Sequence, residues 1–478
     1  MGWFSTWTGP LLAAVHETAK EAHSADAMAA LMDKIPFPLL MSMAALAFLA
    51  TLAASKFARK LQVPAILGVL LLGAAINPEE RVFGPEGVEN LHIISLTMLL
   101  FYAGLKTNLQ QIRKFLGYGL LLAVGGVIVS SLIFGSLIYG IAQIFSALGG
   151  HGFLGTALLQ PLPLSLSMLV AACLGSTDAG ATLSVLSSVR RSVPERVRRL
   201  LEFESSVNDP AAILFLTLII GLCFNESTGA HQLNDVVVHG MAGQIQSFLK
   251  QIGSGIMVGL ILTYLGQYIL RHFISGKDQI LIVGIAVAMA AYGLSAQLGG
   301  SGFIAVYVTG MFLANDIYDN PYITSEVLEN SLESFNTLME MLVFLLFGVI
   351  INPANVLIVL PEGILAALAL MFIARPLSVF AFSPLSPFSW RENVLVAWCG
   401  LRGAVPLALS YTVIHSIPEL PGVDPASIPA LRAEVEGLIF LVVLVNLSLQ
   451  GLTLPALCRR LGLKGEEPEH EAAASATP

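Results

Sequence analysis

Charge is what this chain has least of. Asp, Glu, Lys and Arg make up 12% of its 478 residues, against roughly 25% in an ordinary soluble domain. That is too little to cover a water-facing surface, and 55% of the residues are hydrophobic with a mean hydropathy of +0.78. A soluble globular enzyme and a disordered chain are both excluded. A basic excess is missing as well: 24 Lys and Arg stand against 32 Asp and Glu. Nothing is left over to neutralise phosphates, so a nucleic-acid binder is excluded too. Cysteine is scarce. Cys173, Cys223, Cys399 and Cys458 lie in or beside apolar stretches, too far apart for a metal motif, and read as buried thiols. No basic start precedes an apolar run near the N-terminus, so a cleaved signal peptide is not expected. Residues 1–36 read instead as an external extension, and 459–478 as a short disordered cytoplasmic tail rich in Glu, Ala and Pro.

What is present is one apolar run after another. Thirteen spans are expected, near 37–55, 62–76, 90–105, 115–147, 163–187, 203–223, 248–270, 279–298, 301–315, 335–351, 355–374, 391–415 and 433–457, within a membrane domain over 37–458. At about 20 residues each they use roughly 260 positions. The runs lack the alternation of a transmembrane β-barrel. The expected fold is therefore an all-α polytopic membrane protein. Placing the N-terminus outside puts 18 of the 24 basic residues in cytoplasmic loops and five outside, with Arg402 inside a span. The C-terminus then lies in the cytoplasm. One cytoplasmic loop, 316–334, departs from this bias: it carries Asp316, Asp319, Glu326, Glu329 and Glu333.

Ionisable side chains at mid-membrane cost roughly 2.5–3.5 kcal/mol each and mark function by default. Three spans hold them. The fifth contains Gly175-Ser176-Thr177-Asp178-Ala179-Gly180, and the twelfth contains Gly400-Leu401-Arg402-Gly403-Ala404. Small residues surround one charge in both. Gly-interrupted spans in corresponding positions of two halves are the best sequence pointer to a transporter's binding site. In this reading Asp178 neutralises positive helix ends, and Arg402 either balances negative C-terminal ends or pairs with Glu204. Close packing through small residues explains the glycines and alanines, but neither charge. The sixth span contains Glu204-Ser205-Ser206-Val207-Asn208-Asp209-Pro210. Glu204, Ser205 and Asn208 share one helical face, with Asp209 beside it. Pro210 frees the carbonyl of Ser206, one turn earlier. The bland alternative is that Asp209 only caps or kinks a helix.

These motifs, taken in order, resemble the monovalent cation/proton antiporters of the NhaP-like branch. The likeness extends to Gly302-Phe303-Ile304-Ala305-Val306-Tyr307 and Phe347-Gly348-Val349-Ile350-Ile351-Asn352-Pro353, covering roughly 37–460. The resemblance implies two inverted repeats with crossed broken helices, and a homodimer. It implies that Asp209 binds cation and proton in turn, with Asn208 as its partner. Asp178 and the carbonyl of Thr177 would lie at the helix crossing, Ser205 would be a further oxygen ligand, and Glu204 would pair with Arg402. One departure stands out. Where relatives often carry an acid in the third span, this chain has Tyr102 in Phe101-Tyr102-Ala103-Gly104.

The expected activity follows from one carboxylate with two competing ligands. An ordinary aspartate titrates near 3.9, and low-dielectric burial disfavours its charged form. A buried aspartate thus holds a proton until a cation displaces it. Na⁺, K⁺ or Li⁺ would exchange for H⁺, one for one because Asn208 is neutral, without a cofactor and without enzymatic chemistry. A bacterial inner membrane is the expected location. The rival readings are a passive cation channel and an intramembrane aspartyl protease built on Asp178 and Asp209. The protease's Gly-x-Gly-Asp context is missing at both aspartates, and it gives Asn208 and Arg402 no role.

Overall fold

Glycine, proline and the rare charges decide where the apolar runs become helices. The computed structural model describes residues 65–463 apart from 77–84, 114, 148–161, 188, 190–192, 225–232, 277, 319–322 and 421–422, together with 45–46, 49–53 and 56. No strand occurs among the described residues. In chain order the helices that position the site are α1 (Ala65–Ile76), α2 (Pro85–Lys106), α3 (Leu116–Ala147), α4 (Leu164–Cys173), α5 (Ala179–Ser187), α6 (Glu195–Phe224), α7 (Leu233–Phe273), α8 (Asp278–Gln297), α9 (Gly302–Ala314), α10 (Ser325–Ile350), α11 (Leu360–Ala381), α12 (Trp390–Trp398), α13 (Ala404–Ser416) and α14 (Ile428–Leu461).

Seven described helices are long and apolar enough to cross a membrane: those built on α3, α6, α7, α8, α10, α11 and α14. Their outward faces carry large exposed apolar side chains such as Leu260, Ile282, Met289 and Phe372, as a lipid-facing surface requires. The chain is an integral multi-pass membrane protein. The expected spans 163–187 and 391–415 are each two half-helices with a non-helical linker between them. The expected span 37–55 and the extension over 1–36 fall largely or wholly outside the described residues. So does the tail from 464.

Several helices outrun their expected spans, α6, α7 and α11 among them. Pro194 stands just before α6, whose first turns are laced by Arg198 and Arg199 to Glu195, so helix continues through a charged stretch. α7 runs for 41 residues. α11 continues past Ala374 to Ala381 and keeps Arg375, expected in a loop, 3% exposed.

The helices sort into two bundles. In one, α9 packs on α2, α7 and α8, while α10 packs on α1 and α2. Glycines set these approaches: a Cβ at Gly104 would collide with the carbonyl of Tyr307, and one at Gly348 with the carbonyl of Leu70. In the other, α4 packs on α3 and α6, and α11 packs on α14. Here the same order occurs twice: a long helix with one π turn (121–125 in α3, 370–374 in α11), a broken helix, then a long helix with an internal proline, Pro210 or Pro455. The copies run in opposite directions. Ile138, Ile141 and Phe145 near the end of α3 meet Glu362 at the start of α11. At the other face, Arg391 at the start of α12 reaches the carbonyl of Leu461 at the end of α14.

Candidate functional site

Breaking a helix in a membrane leaves backbone groups that need partners. The two linkers, 174–178 and 399–403, supply many of them to each other. The Asp178 N–H donates to the carbonyl of Leu401 at 2.7 Å, which fixes the crossing. Asp178 then caps α5 by accepting from the Ala181 N–H at 2.9 Å. Its other oxygen lies against Gly403, where any Cβ would collide with it. The glycine of the second linker is thus what makes room for the aspartate of the first.

Each linker is also pinned by an asparagine on the long helix that follows. Asn208 of α6 accepts from the Thr177 N–H at 3.3 Å and donates to Thr177 Oγ1 at 2.6 Å and Glu204 Oε1 at 3.1 Å. Asn446 of α14 accepts from the Arg402 N–H at 2.8 Å and donates to Gln450 Oε1 at 2.8 Å and the Gly400 carbonyl at 3.4 Å. Ser205 donates to the carbonyl of Thr177 at 2.5 Å. Asn208 and the carbonyl of Thr177 are therefore held by protein groups.

The ion pair expected between Glu204 and Arg402 is not made. Glu204 receives a two-pronged bond from Arg375, both contacts at 3.0 Å, with both side chains almost wholly buried. Arg402 instead donates to the carbonyls of Gly175 and Ser176 at 2.8 and 2.6 Å. It takes up the negative end of α4, the other of its two expected roles. The physical reason is reach. Arg402 sits on the linker that crosses just past α4, whereas Arg375 comes down α11 to the face of α6 that carries Glu204. Arg375 is expected in a loop because the apolar run weakens there, and only packing shows that the helix continues.

The structure brings Thr177, Asp178, Ser205 and Asp209 to one cavity of about 120 Å³ between the two bundles. Asn208, Glu204 and Arg402 lie behind its wall. Ser176 lines the cavity, fully buried, with its hydroxyl beside the Asp209 carboxylate. The opposite wall carries Tyr102 and Lys106 of α2 and Asn336 and Glu340 of α10. Sequence reading missed Lys106 and Glu340 at this site. A signal existed: Glu340 is a carboxylate inside an expected span, by the same criterion that singled out Asp209. Among the described residues no three Asp, Glu, His or Cys groups converge as a metal cage. The donor set is instead carboxylate and hydroxyl, with room for one hard ion and its partial hydration.

Residues 44–460 match the transmembrane sodium/hydrogen exchanger family. Among relatives, a protein of Shewanella baltica named K(+)/H(+) antiporter NhaP2 is 29% identical over 420 residues, 85% of this chain and 64% of its own length. One of Synechocystis sp. named Na(+)/H(+) antiporter NhaS2 is 28% identical over 431 residues, 86% of this chain and 68% of its own length. This chain thus spans a little under two thirds of the Shewanella relative. In three dimensions it resembles the sodium proton antiporter MjNhaP1 of Methanocaldococcus jannaschii, with a TM-score of 0.72 at 23% identity, covering 89% of this chain and 99% of that one. The likeness establishes the fold of crossed broken helices, and the match over nearly the whole membrane region establishes the lineage: the chain belongs to the sodium/hydrogen exchanger family.

Proposed function

We propose that this protein exchanges a monovalent cation, Na⁺ or K⁺, for H⁺ across the membrane, with cation and proton competing for Asp209. The observation that carries the reading is the cavity in which Asp209 and Asp178 stand at the crossing of two broken helices. Asp209 is the exchanging group. Asp178 supplies negative potential, and its carboxylate geometry is set by α5 and Gly403. A proton neutralises Asp209 when the ion is absent, and an arriving cation expels it. Because the cavity lies between two bundles, a shift of one against the other would present it to the two sides in turn. The names of the relatives, K(+)/H(+) and Na(+)/H(+) antiporters, support both candidate ions.

Three finer statements belong to the same proposal. Exchange is one for one, since the residue beside Asp209 is the neutral Asn208, turned toward Thr177 and Glu204. The N-terminus faces outward and the C-terminus the cytoplasm of a bacterial plasma membrane, which the positions of Lys and Arg support. The working unit is a homodimer. A protease reading fails on the geometry, because the Asp178 carboxylate caps α5 and packs on Gly403.

The test uses proteoliposomes with a preset pH gradient and a pH-sensitive dye, adding Na⁺, K⁺ and Li⁺ in turn. Cation-triggered collapse of the gradient in the parent, and none with Asp209→Asn, is the expected result. An imposed membrane potential should leave the initial rate unchanged. Cation flux that ignores the pH gradient would establish a channel instead.

A further inference from the structure

The acidic stretch that departs from the positive-inside bias has a geometry. Glu326, Glu329, Glu333 and Glu340 lie on α10 at intervals of three, four and seven, which places all four on one helical face. The face spans fourteen residues, or about 21 Å at 1.5 Å per residue. Its outer members Glu326 and Glu333 are exposed, and its inner end is Glu340, inside the cavity. There a single point, the Cβ position of Gly180, lies 3.2 Å from Asp178 Oδ1 and 4.0 Å from Glu340 Oε1. The buried Ser176 side chain, beside Asp209, lines the same space. Beside the track stands one cation of the protein's own. Lys106 Nζ lies 3.8 Å from Glu329 Oε1 and 5.3 Å from the centroid of the Tyr102 ring. Tyr102 thus holds an ammonium at the mouth of the cavity.

We propose that this face of α10 is the cation's approach to Asp209, with Glu340 as its inner station and Lys106 as a tethered competitor that the arriving ion displaces. The inference rests on the exchange reading above. The carboxylates raise the local cation concentration at one membrane face. Since the acidic groups do not converge as a cage among the described residues, the ion passes from Glu340 toward Asp178 and Asp209 rather than being held by all three. The Glu340 and Lys106 charges then act on affinity in opposite directions.

The experiment measures the apparent cation KM and the maximal rate of the full chain in the same proteoliposomes. Glu340→Gln should raise the KM about tenfold, the equivalent of ~1.4 kcal/mol, with the maximal rate little changed. Lys106→Gln should lower the KM severalfold. Glu333→Gln, at an exposed position, should raise it modestly at low ionic strength and not at all in concentrated choline chloride. A merely structural role would change rate or yield and would not move the KM in opposite directions. An unchanged KM in Glu340→Gln, or shifts of the same sign in Glu340→Gln and Lys106→Gln, overturns the inference. Should Glu340→Gln fail to fold, Lys106→Gln and Glu333→Gln decide it by the same signs. Asp209→Asn runs alongside: exchange surviving there sinks the exchange reading itself, which is a different failure.

Discussion

The two inverted copies, α3–α6 and α11–α14, share a plan and differ in charge. Both place an asparagine on the long helix after the break, and both asparagines accept from a linker N–H, Thr177 in one and Arg402 in the other. Both partner that asparagine with a side chain four residues away, Glu204 or Gln450. The first copy, however, delivers Asp178 and Asp209 to the cavity, while the second delivers Arg375 and Arg402 to the groups behind it. One copy supplies two of the cavity's carboxylates, with Glu340 of α10 as a third from outside both copies, and the other supplies the counter-charges that let the surrounding carbonyls and Glu204 stay buried. A duplicated scaffold thus becomes a site by dividing its charges between the halves.

That division can be broken in order of severity. Removing a carboxylate of the first copy should cost most: Asp209→Asn or Asp178→Asn is expected to bring exchange to background in the dye assay, while size-exclusion profiles stay those of the folded protein. A retained rate in either would mean the copies are not divided as described. Next comes the buried pair. Arg375→Ala leaves Glu204 charged with only the Asn208 amide as partner, and breaking such a pair costs about 3–5 kcal/mol, so its melting temperature in detergent should fall furthest of the set. Glu204→Gln with Arg375→Met should recover much of that loss.

Arg402→Ala strips donors from two carbonyls rather than from a charge, so the expected cost is smaller, about 1–3 kcal/mol. A melting profile equal to the parent's would show that the end of α4 finds other partners. The finest comparison is Asn208→Ala against Asn446→Ala. Each removes one pin, so equal losses of about 1–2 kcal/mol are expected, but exchange should suffer more with Asn208→Ala, because Thr177 lies in the cavity wall. Equal loss of exchange in both would mean that the two linkers contribute equally to the site.

Much of this was readable before any coordinates. Gly-Ser-Thr-Asp and Gly-Leu-Arg-Gly marked the two breaks, because small residues around a lone charge suit a crossing and little else at that depth. Asp209 beside Pro210 marked a face of α6 that lines the cavity. What misread was partnership. Arg402 and Glu204 are opposite charges in interrupted spans, and nothing in spacing distinguishes Arg375 as the nearer partner. Glu340 went unread inside the expected span 335–351 because no glycine or proline flanks it as at Asp178, Arg402 and Asp209.

The sequence by itself determined the membrane class, the helical content, the two broken spans and the carboxylates of the first copy. These follow from local composition: apolar length, small residues and charges too costly to keep without a task. Only the tertiary structure decided that Arg375 takes Glu204, that Arg402 takes the end of α4, and that Tyr102, Lys106 and Glu340 face Asp178 across one cavity. Those facts depend on how helices far apart in the chain are rotated and set against each other. A rotation of one residue, about 100° on a helix, turns a side chain from cavity to lipid, and no local pattern records it.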